Sequence, residues 1–258
     1  MESKINHLLK MWPQGTVATS SWLQEQGVSR QLARRYTESG WLQRFGHGAF
    51  VQARESSMVE WSGAVYALQH QQGLSLHPAA ASALSLLGLG HYLPLGGKEA
   101  VTLFSDRPEK LPTWFTRHEW PMRLAHHTPK LFDSYPMESL TEVSRNGFSI
   151  RVSAPEQAIL ELFHLATTND AITHALEFMN GLNTLRPQVV QSLLETCRSV
   201  KVKRLFLWAS ESAGHDWFSR LTPDRINLGK GKRSLYRGGR FDKKYLITVP
   251  RQEETAHV

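Results

Sequence analysis

Three polar residues of one short stretch, Arg30, Gln31 and Arg34, have types and a spacing suited to reading DNA bases. On a helix with about 3.6 residues per turn they fall on one side. Apolar residues of the same stretch fall on another side: Leu32, Ala33 and Tyr36. In the major groove, Arg pairs bidentately with guanine and Gln with adenine. The stretch therefore predicts an amphipathic helix that can lie in a major groove.

Local sequence signals mark both ends of this helix and predict the helices that precede it. Ser29 is a good N-cap, and Gly40 suits the left-handed position that follows a last helical turn. Residues 20–26 predict a short preceding helix, and Gly27-Val28 predicts a tight turn with the valine plugging the gap between the two helices. Residues 2–11 supply an earlier amphipathic helix. Together these elements predict a helix-turn-helix.

A β-hairpin is predicted directly after these helices. Residues 41–45 and 49–51 have strand character, and Gly46-His47-Gly48 between them forms a Gly-rich turn. Three helices and a hairpin predict a winged helix-turn-helix domain over residues 1–53, with Arg44 and His47 near the tip of the wing. The alternative is a small helical domain that only packs or binds protein. Against this alternative, the segment has only three acids, Glu2, Glu25 and Glu38. None of them is at a predicted reading position.

Residues 54–258 predict a mixed α/β domain, so the fold class is α+β. Helices are predicted over residues 56–72, 79–87, 187–200 and 202–213. His77-Pro78 is predicted to open the second of these, and Cys197 is predicted to lie in the third. A further helix is predicted to follow a capping box formed by Ser153 and Glu156. Strands are predicted at 100–104, 122–126, 148–152 and 244–249.

The net charge of +7 and the pI near 9.6 favour polyanionic partners. The segment from Arg198 to Arg251 is the most basic part of the chain, with 14 Lys or Arg and four acids. Seven of these cations form a possible DNA or partner surface: Lys230, Lys232, Arg233, Arg237, Arg240, Lys243 and Lys244. The equally weighted alternative is a solvated hairpin face.

Enzyme chemistry finds little support in the residue pattern, and no catalytic residue, metal site or cofactor is predicted. His126 and His127 would point to opposite faces of a strand. The segment around Lys232 lacks the spacing of a phosphate loop. Cys197 is the only cysteine and fits a buried small hydrophobe. With no disulfide, no signal peptide and no membrane span predicted, we expect a cytoplasmic protein without a membrane partner.

Four stretches together resemble AbiEi-type antitoxins of bacterial abortive-infection systems. They are GVSRQLARRYTESGWLQRFGHGAF, SAPEQAILELF, and the C-terminal pair KRLFLWASESAGHDWF and INLGKGKRSLYRGGRFDKKYLITVP. The resemblance covers most of the chain, whereas residues 96–135 carry no motif of the family. By position it implies a set of DNA-binding residues: Ser29, Arg30, Gln31, Arg34 and Arg35 on the recognition helix, and Arg44 and His47 on the wing.

This resemblance implies an autorepressor that binds operator DNA and an antitoxin that counteracts a nucleotidyltransferase-type toxin. In such systems protection does not always require a stable complex, and the sequence leaves direct binding to the toxin open. The alternative function is a ligand-sensing winged-helix repressor without a toxin partner. The presence of a neighbouring nucleotidyltransferase-like gene would discriminate between the two.

Overall fold

The computed structural model describes residues 4–53, 59–90 and 100–251, and the fold is α+β with several small sheets. The helices are α1 (Lys4–Met11), α2 (Ser20–Glu25), α3 (Arg30–Glu38), α4 (Trp61–His70), α5 (Ala80–Leu86), α6 (Thr113–Thr116), α7 (Pro155–Leu165), α8 (Asn169–Gly181), α9 (Pro187–Thr196) and α10 (Val200–Ala213). The strands are β1 (Ala18–Thr19), β2 (Leu42–Gly46), β3 (Ala49–Gln52), β4 (His77–Pro78), β5 (Ala100–Phe104), β6 (Arg123–His127), β7 (Leu140–Arg145), β8 (Phe148–Ser153), β9 (Arg240–Asp242) and β10 (Ile247–Val249).

The chain divides into two compact units, which are described separately. The first comprises residues 1–78, 98–129 and 142–152, and the second comprises residues 79–97, 130–141 and 153–258. The boundary predicted between residues 53 and 54 lies beside residues 54–58, which are outside the described residues. The division into domains 1–53 and 54–258 therefore stays a prediction.

The first unit begins with three helices around one apolar cluster, as predicted. The cluster includes Leu8 and Trp12 from the first helical segment, Leu23 from α2 and Ala33 from α3. Val28 is 1% exposed, so its predicted position between the two helices is confirmed. The predicted hairpin is also confirmed, because β3 pairs antiparallel with β2 on one side and with β1 on the other.

In the rest of the first unit, α4 is buried on most of its surface and carries mainly small or apolar residues. Gln71, just after α4, accepts a hydrogen bond from the Thr19 amide and donates one to the Val17 carbonyl, both at 2.8 Å. The helix starts at Trp61, later than predicted, since Glu60 is extended and acts as its N-cap. A second sheet of order β4-β5-β6 has β4 antiparallel and β6 parallel to β5.

The helix predicted over 79–87 is confirmed as α5, but two details near these elements were wrong. His77-Pro78 lies ahead of this helix and forms β4, with His77 opposite Phe104. The reason is that a residue before proline is kept out of the helical region of backbone space. The strand predicted over 244–249 is limited to β10, since residues 243–246 form a turn in which Leu246 has a φ of +54°.

In the second unit, α7 is the central helix and packs against α5, α8, α9 and α10. Its predicted capping box is wrong. Ala154 is the N-cap and makes no side-chain capping bond. The Ser153 hydroxyl donates instead to Glu161 at 2.8 Å, and Glu156 is bound by Arg186. Pro155 occupies the first turn, where its missing N–H costs nothing.

The prediction that helix 187–200 contains Cys197 was also wrong. Helix α9 ends at Thr196, because Cys197 is extended and forms a bridge with Phe132. Sequence reasoning missed α8 altogether, although its apolar residues recur at helical spacing: Ile172, Ala175, Phe178 and Met179. Thr168 caps this helix by accepting a hydrogen bond from the Ala171 amide.

The ion pair between Glu156 and Arg186 predicts a large effect on stability. Glu156 is 2% exposed, and Arg186 contacts both of its carboxylate oxygens. Burial raises the pKa of Glu156, but the hydrogen bonds from Arg186 outweigh it, and the net pKa is lowered. Arg186→Ala leaves a buried charge unpaired and should cost about 3 kcal/mol of unfolding free energy at pH 7. Urea titration at several pH values measures this cost.

The pH dependence and a control make the result specific. A carboxylate with a lowered pKa stabilises the fold above its unfolded pKa, and this contribution is lost as the pH falls through the folded pKa. The difference between wild type and Arg186→Ala should therefore shrink in acid. Arg198→Ala removes an exposed ion pair with Asp133 and should cost less than about 1 kcal/mol. Equal costs for the two variants would contradict the prediction.

Candidate nucleic-acid interface

The turn between α2 and α3 fixes where α3 begins. The Val28 amide donates to the Leu23 carbonyl at 2.8 Å, and the Gly27 amide donates to the Gln24 carbonyl at 2.9 Å. This paired bonding requires a left-handed residue after the helix, and Gly27 has a φ of +76°. The Ser29 hydroxyl then accepts from the Leu32 amide at 3.2 Å, so the predicted N-cap is confirmed.

The other end of α3 closes in the same way. The Trp41 amide donates to the Tyr36 carbonyl at 2.9 Å, and Gly40 adopts the predicted left-handed conformation with a φ of +71°. Ala33 is buried, and Leu32 and Tyr36 pack against the same cluster. The other face of α3, which carries Arg30, Gln31, Arg34 and Arg35, does not pack against this cluster and is exposed.

A groove of about 620 Å³ lies between α3 and the hairpin of β2 and β3. It brings together four of the seven predicted DNA-binding residues: Arg30 and Arg34 from α3, Arg44 from β2, and His47 from the turn. All four are exposed. The rest of the lining comes from α2, α3 and the hairpin: Ser20, Leu23, Gln24, Val28, Ala33, Thr37, Glu38, Gly48 and Phe50.

The other three predicted residues do not line this groove. Gln31 and Arg35 are exposed on the adjoining surface of α3, and Ser29 uses its hydroxyl to cap its own helix. Among the residues that the structure describes, no ion pair is formed by Arg30, Arg35 or Arg44. These cations are therefore available to an anionic partner.

Glu38 places a negative charge in the groove, where the sequence predicted none. It lies one turn after Arg34, lines the same groove, and accepts a hydrogen bond from the Arg34 Nε at 2.9 Å. The two side chains are 81% and 60% exposed, so water screens the pair and its stabilisation is small. Arg34 can exchange this partner for another anion at little cost.

The predicted C-terminal cations are all exposed: Lys230, Lys232, Arg233, Arg237, Arg240, Lys243 and Lys244. We call them the C-terminal cationic surface. Arg204 of α10, which is 1% exposed, holds the backbone next to Lys230 and Lys232. Its guanidinium donates to the carbonyls of Leu228 at 2.8 Å, Gly229 at 3.1 Å and Gly231 at 2.6 Å.

Two lysines of the C-terminal cationic surface have partners within the chain. Lys244 pairs with Glu211, and Lys232 lies over the ring of Phe241 at 5.3 Å. The backbone of Arg237 is held by Asn169, whose side chain both donates to it and accepts from it at 2.9 Å. The side chain of Arg237 is exposed beside a cleft at the start of α8.

The histidines and the cysteine considered for enzyme chemistry are found on a strand and in a buried bridge. His126 is within hydrogen-bond distance of the Ser105 hydroxyl at 2.8 Å, and the neighbouring His127 is exposed. Burial raises the pKa of the Cys197 thiol, which is 3% exposed. Within residues 4–53, 59–90 and 100–251, no three His, Cys, Asp or Glu residues are grouped as metal ligands. No helix in those ranges is long and apolar enough to span a bilayer.

Comparisons with known proteins decide the family. A family model described as "Transcriptional regulator, AbiEi antitoxin, Type IV TA system" matches residues 98–250, and one for the AbiEi antitoxin N-terminal domain matches residues 1–95. The chain belongs to the AbiEi antitoxin family. The resemblance inferred from the sequence is thus confirmed. Members of this family are regulatory antitoxins rather than enzymes.

The fold of this AbiEi-family chain is similar to that in the crystal structure of RV2827C protein from Mycobacterium tuberculosis. The TM-score is 0.55 at 13% sequence identity, and the match covers 94% of this chain and 88% of the other. At such low identity the likeness concerns the fold. The comparison with curated proteins gave no match.

The N-cap of α3 gives a prediction that separates capping from side-chain loss. Ser29→Ala removes the acceptor for the Leu32 amide and should cost about 1 kcal/mol of unfolding free energy. Ser29→Gly should cost only a few tenths of a kcal/mol, because an N-cap glycine leaves the first-turn N–H groups open to water. Chemical denaturation of the two variants is the measurement. Equal losses in both would show that Ser29 does not act as a cap.

Proposed function

We propose that this chain is a DNA-binding autorepressor and the antitoxin of its operon, counteracting a nucleotidyltransferase-type toxin. Membership of a family of antitoxin regulators supports both roles. The observation that carries the DNA-binding role is the groove beside α3, where Arg30, Arg34, Arg44 and His47 lie together and exposed.

We assign α1 to α3 and the hairpin to a winged helix-turn-helix domain within residues 1–53. Three features support this assignment: the tight turn between α2 and α3, the apolar cluster that uses only one face of α3, and the hairpin that follows at once. A helix of nine residues is about 13 Å long, and the major groove is about 12 Å wide. In this proposal α3 is the recognition helix and the hairpin is the wing.

The proposed contacts divide between bases and phosphates. Arg30, Gln31 and Arg34 on α3 are within reach of base edges, where bidentate pairing gives sequence discrimination. Arg44 and His47 on the wing, with Arg35 on the flank of α3, contact the phosphate backbone and set the register on the duplex. Ser29 contributes by fixing the first turn of α3. Arg34 leaves Glu38 on binding, which costs about 0.3–0.5 kcal/mol for an exposed helical pair.

We propose that the C-terminal cationic surface belongs to the antitoxin role, within residues 54–258. The support is the exposure of these cations together with the order of their loop. Arg204 holds the backbone at residues 228–231, and within the described chain Lys244 is the cation of this surface that forms an ion pair with an acid. A surface of this kind suits a polyanion, either a nucleic acid or an acidic face of the toxin.

The reading helix gives the first prediction of this proposal. Arg30→Ala and Arg34→Ala should each weaken binding to the DNA upstream of the operon by about 1–3 kcal/mol, because each removes a bidentate base contact. Arg123→Ala removes an equally exposed arginine from β6 in the same unit and should leave the affinity unchanged. Fluorescence anisotropy titration measures the affinities. Equal losses in all three variants would indicate a general charge effect instead of base reading.

Glu38→Gln supplies a change of the opposite sign in the same assay. It removes the groove's negative charge and releases Arg34, so affinity should rise several-fold, and nonspecific DNA should gain as much as the operator. A fall in affinity would mean that Glu38 orients Arg34 for base contact.

The two proposed roles should be separable in cells. Arg30→Ala/Arg34→Ala, expressed from an unrelated promoter, should lose repression and still protect against the neighbouring toxin. Lys230→Ala/Lys232→Ala/Arg233→Ala should lose protection and retain most repression. A control with the same loss of charge, Lys130→Ala/Arg145→Ala/Arg220→Ala, should keep both, since these exposed cations are not part of the proposed surface. Reporter expression and growth with the toxin induced are the measurements.

Two outcomes would contradict the separation. If the folded and abundant Arg30→Ala/Arg34→Ala variant fails to protect, protection runs through DNA binding. If the Lys230→Ala/Lys232→Ala/Arg233→Ala variant protects as well as wild type, the C-terminal cationic surface has no part in antitoxicity.

A further inference from the structure

The wing does not stand free in its unit, because its strand β2 is held by an aromatic cluster from residues 113–120. The ring of Phe45 is stacked on the imidazole of His118, with centroids 4.3 Å apart and planes at 26°. It also lies edge-on to Trp114 at 6.2 Å and tilted against Trp120 at 6.1 Å. Phe45 is the residue directly after Arg44.

The next residue of the wing, Gly46, touches the same segment through its backbone. A Cβ atom built on Gly46 would lie 2.7 Å from the Cβ of Trp114, closer than real Cβ contacts come. Only glycine therefore allows β2 to approach α6 this closely. Contacts at Phe45 and Gly46 fix the chain between the two proposed phosphate-binding residues of the wing, Arg44 and His47.

Residues 113–120 form a firm base because they are themselves anchored. Trp114 and Phe115 are 4% and 3% exposed, and the Trp120 indole donates to the Phe115 carbonyl at 3.0 Å. The segment joins β5 to β6, two parallel strands paired along five residues each. Because β2 is an edge strand of the sheet of order β1-β3-β2, its contacts with this base add to its pairing with β3.

The charge state of His118 fits a packing role. Burial lowers the pKa of His118, and the neighbouring Glu119 raises it by a smaller amount, so the net pKa is lowered. A lowered pKa favours the uncharged imidazole, which suits a ring stacked on Phe45.

We propose that Trp114, His118 and Trp120 are positioning residues. They hold the wing in the position in which Arg44 and His47 contact the DNA backbone. This proposal rests on the proposed DNA-binding function and extends it to residues 100–127, for which no motif was found. A wing held in place before binding loses less conformational freedom on binding, which raises affinity without a new DNA contact.

The test is a double-mutant cycle on affinity for the DNA upstream of the operon, with the full chain. His118→Ala should weaken binding about 5-fold, and Arg44→Ala/His47→Ala should weaken it at least as much. If His118 acts through the wing, adding His118→Ala to the Arg44→Ala/His47→Ala background should weaken binding less than about 2-fold. His127→Ala removes an imidazole that contacts Phe104 and not the wing, and should leave affinity unchanged.

A conservative variant and a second perturbation separate positioning from folding. His118→Phe keeps a ring on Phe45 and should restore most of the affinity. Gly46→Ala forces β2 away from Trp114 and should weaken binding as His118→Ala does, with the same loss of effect when Arg44 and His47 are absent. Thermal unfolding of each variant shows that the chain is folded.

The outcomes distinguish this inference from the function on which it rests. If Arg44→Ala/His47→Ala leaves affinity unchanged, the wing does not contact DNA and the proposed wing role fails. If that variant weakens binding but His118→Ala does not, or weakens it equally in both backgrounds, the wing contacts DNA and the positioning role of His118 is overturned.

Discussion

The one-sided packing of α3 is the constraint on which the proposed interface depends. Ala33 is buried in the cluster that Leu23 and Val28 complete, and this apolar contact fixes the rotation of the helix about its axis. The Schellman-type turn at Gly27 sets its starting point. With rotation and start fixed, Arg30 and Arg34 line the groove shared with the hairpin. In the proposed interface, packing therefore decides which charges the groove presents.

The second unit meets a similar constraint in a different way. Residues 229–234 of its cationic loop are exposed and carry no apolar side chain, so burial cannot order them. The buried guanidinium of Arg204 does so by donating to several backbone carbonyls at once, which offsets the cost of removing its charge from water. We therefore expect the loss of Arg204 to disorder the loop that carries the exposed lysines, although the lysines themselves are unchanged. The helices around α7 should keep their own core.

Local signals predicted the N-terminal elements well, because caps, turns and hairpins depend on residues close in sequence. Ser29 and Gly40 bound α3 where predicted. The signals failed where a distant partner competes for the same side chain. Ser153 and Glu156 have the spacing of a capping box, but Glu161 and Arg186 occupy them instead. Likewise, nothing in residues 113–120 indicates a role until the fold places them against Phe45, about 70 residues earlier in the chain.

The central claim is that the groove between α3 and the hairpin is the DNA interface. Amide hydrogen exchange of the full chain, measured with and without the DNA upstream of the operon, tests it most directly. If this groove binds the DNA, we expect slower exchange in residues 29–38 and 42–50, with α7 in the second unit unchanged. Protection confined to residues 225–249, or no protection around α3 at saturating DNA, would contradict it.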